Sequence, residues 1–362
     1  MRTGVAHLPL HYGKAPRWLF SRMVSLAREI TLAVAYEHGT AEVLRRLSDP
    51  FWFQAFGCLL GFDWHSSGLT TTTCGALKEG LHGLEGELGI FVAGGKGKTS
   101  RRTPKEIEAF GDRYALKADP SRLVYASRMA AKVDSAAVQD GFQIYHHTFI
   151  FTLDGRWAVV QQGMNEASRY ARRYHWLSEE FDDFVREPHS GVVSDPTGGL
   201  PVLNMVAREG EECRSTSAAL SRETPETVAQ EIRRMQSLEL PAHHEILARD
   251  LDPARLERSL IVTYEGQAGS FEALLGLPGV GPKTIRALAL VSDLLYGSRA
   301  SFRDPAHFAF AHGGKDGHPF PVDRENYDLS IQFLKEALEK AKVGDREKIE
   351  GLRRLDSFSR GQ

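Results

Sequence analysis

The sequence predicts an α+β protein: an N-terminal α/β domain built on a sheet that contains a β-hairpin, followed by an all-helical C-terminal domain. Three observations predict it. The stretch "FQIYHHTFIFTLDGRWAVVQQGM" is two apolar-rich runs joined by Asp154-Gly155, a strong hairpin signal. Apolar residues recur three and four apart over residues 17–47 and again from Thr224 onward, the period of helices with one buried face. Between these regions, residues 187–223 shift to Pro, Gly, Ser and Thr, which reads as a linker or a long surface excursion. The expected units are therefore 1–186, 187–223 and 224–362.

Bulk properties narrow the class. A chain of 362 residues can bury two cores or more, and 42% apolar with 25% charged residues is the balance of a soluble globular protein. Net charge is −2, so any polyanion site must come from local clustering of cations. Cys58, Cys74 and Cys213 are too widely spaced for a disulfide framework or a zinc pattern, which suits a reducing cytoplasm. The first residues lack the apolar run of a signal peptide, and no window has the length of a membrane span. A cytoplasmic protein without a membrane partner is expected.

Taken in order, residues 17–38 form a helix that stops at Gly39. A second starts at Thr40 and is stopped by Ser48-Asp49-Pro50. In "DWHSSGLTTTTCG", Asp63 and His65 could ligate metal or act as an acid/base pair, and the hydroxyls could cap the next helix or hold phosphate. Capping leaves the four consecutive threonines unexplained. "AGGKGKTSRR" is not a phosphate-binding P-loop, because Val92 stands where that loop needs glycine, and no nucleotide cofactor is expected. Its Lys96, Lys98, Arg101 and Arg102 instead suit a basic loop on nucleic-acid phosphates, or simply a solvated surface.

A two-residue turn at Asp154-Gly155 pairs Leu153 with Arg156, and so sets His147 opposite Gln162 and Thr148 opposite Gln161. Tyr145, His147, Phe149 and Phe151 then share one face, and Ile144, His146, Thr148 and Ile150 the other. Asp140, His146, His147 and Gln162, with Asp63 and His65, are the expected residues of a metal-assisted phosphodiesterase site taking Mg²⁺ or Mn²⁺. A satisfied polar rim on a sheet edge explains the same residues without chemistry. Residues 166–185 are expected to be helical, placing Arg169, Arg172, Arg173 and Trp176 on one face. That face suits nucleic acid, or ion pairing with the acidic "SEEFDD" downstream.

"LPGVGPKTIRAL" (277–288) predicts two helices joined by a tight turn. Gly279 and Gly281 allow unusual backbone angles and close approach, and Pro282 fits the first helical position. Amides of such a turn can hold backbone phosphate without reading bases. The stretch resembles the helix-hairpin-helix motif of DNA-repair and replication proteins, although Ile285 stands where that motif has a small residue. The resemblance implies DNA contacts at Gly279, Val280, Gly281, Lys283 and Thr284. In the endonuclease III-like glycosylase superfamily a lysine at this place attacks a damaged sugar and a later aspartate assists. Lys283 and Asp323 (in "PVD") would fill those roles here, at about twice the compact spacing.

Several stretches, "RTGVAHLPLHYGKAPRWL", "GFDWHSSGLTTT", "AGGKGKTSRRTP", "QDGFQIYHH", "AVVQQGMN" and "FAHGGKDGHPFPVD", together resemble the family catalogued as domain of unknown function 763. Three functions stay open: a DNA-processing nuclease held on DNA by the helix-hairpin-helix, a glycosylase or abasic-site lyase using Lys283 and Asp323, and a non-enzymatic nucleic-acid scaffold.

Overall fold

A computed structural model of the chain describes residues 8, 10, 15–62, 66–180, 182–194, 201–306 and 324–360. Its centre is an antiparallel five-stranded sheet in the order β1 (Ile90–Lys96), β3 (Gln143–Thr152), β4 (Trp157–Asn165), β5 (Tyr170–Leu177), β6 (Gly191–Val193). A separate two-stranded ladder joins β2 (Val138–Gln139) to β7 (Leu203–Asn204).

The hairpin β3–β4 exists, with a register one residue from the expected one. Phe151 pairs with Trp157, His147 with Gln161 and His146 with Gln162. The turn is one residue longer than a two-residue loop: Thr152 N–H donates to the Arg156 carbonyl, and Gly155 takes φ +87°. That is the three-residue loop closed by a glycine bulge. A second bulge, between Ile144 and His146, breaks the alternation at Tyr145.

Within residues 166–185, expected to be helical, Tyr170–Leu177 forms the strand β5 instead. β5 has buried residues on both faces (Ala171 to Leu177 are all buried), so no polar alternation marks it, and the three-and-four spacing of its arginines is incidental. Residues 187–223, expected as linker, carry β6, β7 and the helix α8 (Glu211–Leu220), whose Cys213 and Ser217 are fully buried.

Helices cover both sheet faces. On the first lie α1 (Arg17–His38), α2 (Thr40–Ser48), α3 (Pro50–Leu59), α4 (Gly68–Leu81) and the short α5 (Glu85–Leu88). Gly39 at φ +85° ends α1 as expected. Asp49 then caps α3 by accepting from Phe51 N–H at 2.8 Å, with Pro50 in the first turn. On the second face lie α6 (Thr103–Arg113), α7 (Pro120–Lys132) and α8, then α9 (Pro225–Gln236), α10 (Ala242–Ala248), α11 (Pro253–Gly266), α12 (Phe271–Gly276) and α13 (Pro282–Tyr296). The chain finally contributes α14 (Arg324–Lys340) and α15 (Asp345–Arg360), whose Leu334, Leu338 and Leu355 join the first core. The two cores thus follow the two faces of one sheet rather than the two halves of the chain: one runs from Phe91 to Val291, the other from Leu8 to Leu355.

One glycine is indispensable to this arrangement. Gly94 in β1 has φ +91°, and a Cβ there would stand 2.2 Å from the His147 carbonyl oxygen. Gly94→Ala should cost more than about 3 kcal/mol, combining backbone strain with a backbone clash. Gly97→Ala, at φ +61° with nothing within 4 Å, should cost about 1–2 kcal/mol. Urea unfolding of the two variants checks the contrast, and equal losses would show that β1 can shift to make room.

Candidate functional site

Consecutive residues of a strand point to opposite faces, and this divides the expected metal ligands. His147 faces α7. Its Nδ1–H donates to Gln161 Oε1 at 2.8 Å, because the Gln161 amide nitrogen is itself spent on Asp134 Oδ2 (2.5 Å) and the Ala130 carbonyl (3.1 Å). Nε2 then accepts from the Ser127 hydroxyl at 2.8 Å. Asp134 also receives Trp176 Nε1 at 3.0 Å and His189 Nε2 at 2.5 Å. All these side chains are buried, and burial holds the His147 pKa below its usual value. Both ring nitrogens are engaged, so His147 has no lone pair to offer a metal.

Asp140 lies on the same face as part of a different group. Its Oδ2 takes Arg172 Nη1 at 2.7 Å and the Tyr174 hydroxyl at 2.7 Å, and Oδ1 takes Phe142 N–H at 3.1 Å. Burial pushes its carboxyl up, against the pull of Arg172. Asp304 grips the same guanidinium through both oxygens, at 2.9 and 2.8 Å. Burial opposes the charge of Arg172, but the two carboxylates outweigh it and raise its pKa.

His146 and Gln162 face α4. They stand in a row across the sheet, Lys96–His146–Gln162–Arg173, on β1, β3, β4 and β5. His146 Nε2 lies 2.9 Å from Thr148 Oγ1, while Nδ1 has no partner among the described residues. Burial, then His147 and Lys96, bring its pKa down to about 3. Gln162 donates to the Ser67 carbonyl at 2.8 Å and contacts the Tyr145 hydroxyl, which the bulge has brought to this face. Arg173 contacts His175 Nε2 (2.8 Å), Gln54 Oε1 (3.0 Å) and the Pro50 carbonyl (3.2 Å), with the Phe53 ring 4.8 Å away. No carboxylate touches it among the described residues. Burial lowers it to about 9, which leaves it charged at neutral pH.

The expected phosphodiesterase set is therefore not brought together: Asp140 and His147 lie on one face, His146 and Gln162 on the other. Asp63 and His65 lie outside the described residues, as does Asp323. Among the described residues no group of three or more His, Cys, Asp or Glu is placed to hold a metal. The arginine face is corrected too. Arg172 and Arg173 are 0% exposed and on opposite faces, because β5 is a strand; Arg169, in the turn before it, is exposed.

Two cationic surfaces remain. Lys96 and the turn Gly97–Arg102 expose Lys96, Lys98, Arg101 and Arg102, none in an ion pair among the described residues. The second surface is the turn from Leu277 to Gly281 between α12 and α13. Gly279 has φ +85°, whereas Gly281 has an ordinary extended backbone. Gly281 is the N-cap of α13 and provides no side-chain cap, so the first amides of that helix are left for an outside acceptor. A depression of about 390 Å³ beside it is lined by Arg255, Arg258, Ser259, Gly279, Lys283 and Thr284. Val280 and Ile285 are buried and lock the turn, and Thr284 donates to Ser259 at 2.9 Å. Lys283 Nζ lies 3.0 Å from Asp250 Oδ2, a carboxylate shared with Arg286 and held low by both despite partial burial.

The turn is fixed from behind. Lys132 on α7 donates to the Val280 carbonyl, and Gln139 bridges the Pro282 carbonyl (2.8 Å) and Arg286 Nε (2.7 Å). Arg255, Arg258 and Asp250 carry no local signal of a site in the sequence. The two arginines are three apart in "PARLERSL" and so share a face of α11, but nothing local tells which face meets the turn. Ser127, His189 and Asp304 were missed for the same reason: their partners are distant in sequence.

An α+β protein whose sheet is buried on both faces, with one basic surface at the end of β1 and another at the α12–α13 turn where Lys283 and Arg255 are paired with Asp250 and Asp252, is the class this geometry defines. The chain belongs to the family described as protein of unknown function (DUF763), which matches residues 4–322. No curated protein and no solved structure matches the chain. No helix among the described residues is long and apolar enough to cross a membrane.

The buried histidines make stability depend on pH. His146, His147 and His175 all have folded pKa values depressed first by burial. Below the unfolded value near 6.5 the unfolded chain binds protons that the folded chain refuses, so their contribution is present above that pH and is lost as pH falls. Each histidine should remove up to about 1.4 kcal/mol per pH unit below that point. Thermal unfolding between pH 7.5 and 5 should show Tm falling steadily; a flat Tm would mean that these rings are solvated.

Proposed function

We propose that this protein binds DNA by its backbone, with the α12–α13 turn as the grip. The observation that carries this reading is the uncapped start of α13, open at Gly279 and Gly281 and flanked by Lys283, Arg255 and Arg258. A phosphate there would meet free amides, the positive end of the helix dipole and three cations at once. Such contacts ignore base identity, so the binding is independent of sequence. The helix-hairpin-helix resemblance of "LPGVGPKT" points the same way.

Lys283 acts in this reading as a phosphate ligand rather than a nucleophile. Its Nζ is held by Asp250 Oδ2 at 3.0 Å on the rim of the depression, the place of a phosphate ligand. Among the described residues no ligand cluster supports a nuclease step.

Fluorescence anisotropy on a labelled duplex, over a range of salt, tests this. Lys283→Ala and Arg258→Ala should each weaken binding and reduce the slope of log affinity against log salt by about 1. Unchanged affinity in both variants would remove the turn from the interface. Borohydride added with an abasic duplex checks the other role: an adduct that Lys283→Ala abolishes would make Lys283 the nucleophile.

A further inference from the structure

Away from the turn, a cleft of about 560 Å³ opens between the start of α1, α4 and the end of β1. Its walls carry Arg17 and Phe20 from α1, Thr72 and Lys78 from α4, and Lys96 and Thr99 from β1 and the turn after it. Among the described residues no Asp or Glu lines it. Its volume falls within the range of small-molecule sites, about 300–1,000 Å³.

The cations play two parts. Lys78 is a strut: it donates to the Gly94 carbonyl at 2.8 Å and to Glu106 Oε2 at 2.6 Å, and Glu106 takes Gly94 N–H in turn. Its charge is spent on holding the floor of the cleft in place. Arg17 and Lys96 have no ion pair among the described residues. The hydroxyls of Thr72 and Thr99 have no hydrogen-bond partner among them either. An acceptor-rich anion would satisfy all four groups.

Helical spacing now accounts for the run of threonines. Thr70 and Thr73 turn inward, both fully buried, with Thr70 Oγ1 3.4 Å from Arg173, while Thr71 and Thr72 line the cleft. Thr148 lines it as well, and behind Thr148 sits His146, 1% exposed, with its Nδ1 unpartnered. Gly95, at φ +141°, lines the cleft without a side chain to fill it. Phe20 supplies one aromatic surface, packed near Gly75 of α4, where an added Cβ would stand 3.7 Å from the ring. Cys74 on the wall is no nucleophile, because burial pushes its thiol up to about 12. The cleft is built to bind rather than to form a covalent bond.

We propose that this cleft binds a nucleoside monophosphate, free or as the 5′-phosphorylated end of a strand, with the phosphate between Arg17 and Lys96 and the base against Phe20. The proposal does not depend on the DNA grip of the α12–α13 turn, because none of its residues belongs to that turn.

Calorimetric titration of the full chain tests it with six probes: the four ribonucleoside 5′-monophosphates, a 5′-phosphorylated tetranucleotide and its unphosphorylated counterpart. At least one nucleoside monophosphate or the phosphorylated tetranucleotide should bind saturably, and the unphosphorylated tetranucleotide at least about tenfold more weakly than the phosphorylated one. Arg17→Ala, Lys96→Ala and Lys96→Glu, all at exposed positions, should each weaken binding about tenfold or more. Tighter binding of the phosphorylated tetranucleotide identifies a strand end as the source, and tighter binding of a monophosphate identifies a free nucleotide. Absence of saturable binding by any phosphorylated probe, or binding insensitive to both Arg17→Ala and Lys96→Ala, overturns the proposal.

Discussion

The arrangement rests on two consecutive arginines in a strand that is covered on both sides. Arg172 and Arg173 point to opposite faces of β5, and each takes a guanidinium out of water. Burying a cation costs several kcal/mol unless its surroundings replace the lost hydration. Arg172 finds two carboxylates, Asp140 from before β3 and Asp304 from beyond α13, so a single charge ties the two ends of the second core together. Arg173 finds neutral acceptors from α3 and α4, a histidine and an aromatic face, so it binds the first helical layer to the sheet without a counter-charge. Breaking a buried ion group by removing one partner costs roughly 3–5 kcal/mol, which makes Asp140 a structural residue before it is anything else.

The same logic disposes of most of the polar residues that invite a catalytic reading. Ser127, His147, Gln161, Asp134, His189 and Trp176 form a continuous hydrogen-bonded chain inside the second core. Each donor has an acceptor, and a network satisfied in this way rigidifies a core rather than reacting with a substrate. Among the described residues His146 Nδ1 and Gln162 Oε1 have no partner, and both lie on the α4 face, the side on which the cleft opens, while Arg172 Nε is without one on the other face.

Rigidity also shapes the α12–α13 turn. Its carbonyls are taken by Lys132 and Gln139 from the other half of the chain, which leaves its amide side for a partner. In the reading proposed here, a grip whose orientation is already set would lose little entropy on binding. With net charge near zero, the two basic surfaces are local features against a balanced background.

Local chemistry in the sequence determined the fold class, the β3–β4 hairpin, the ends of α1 and α2 at Gly39 and Asp49, and the helix–turn–helix at Gly279 to Pro282. Each depends on residues a few positions apart: glycine at positive φ, a capping aspartate, proline at a first turn. The hairpin register slipped by one, because turn length depends on the strain that Gly155 absorbs within the folded sheet. Only the tertiary structure decided that β5 is a strand, that β6, β7 and α8 pack into the core and that His146 and His147 serve different faces. Burial on both sides erases the polar alternation that would mark a strand, and hydrogen-bond partners such as Asp134 and His189, or Arg172 and Asp304, meet across 55 and 132 positions. No local pattern encodes such pairs, since what selects them is the space left when the two helical layers close on the sheet.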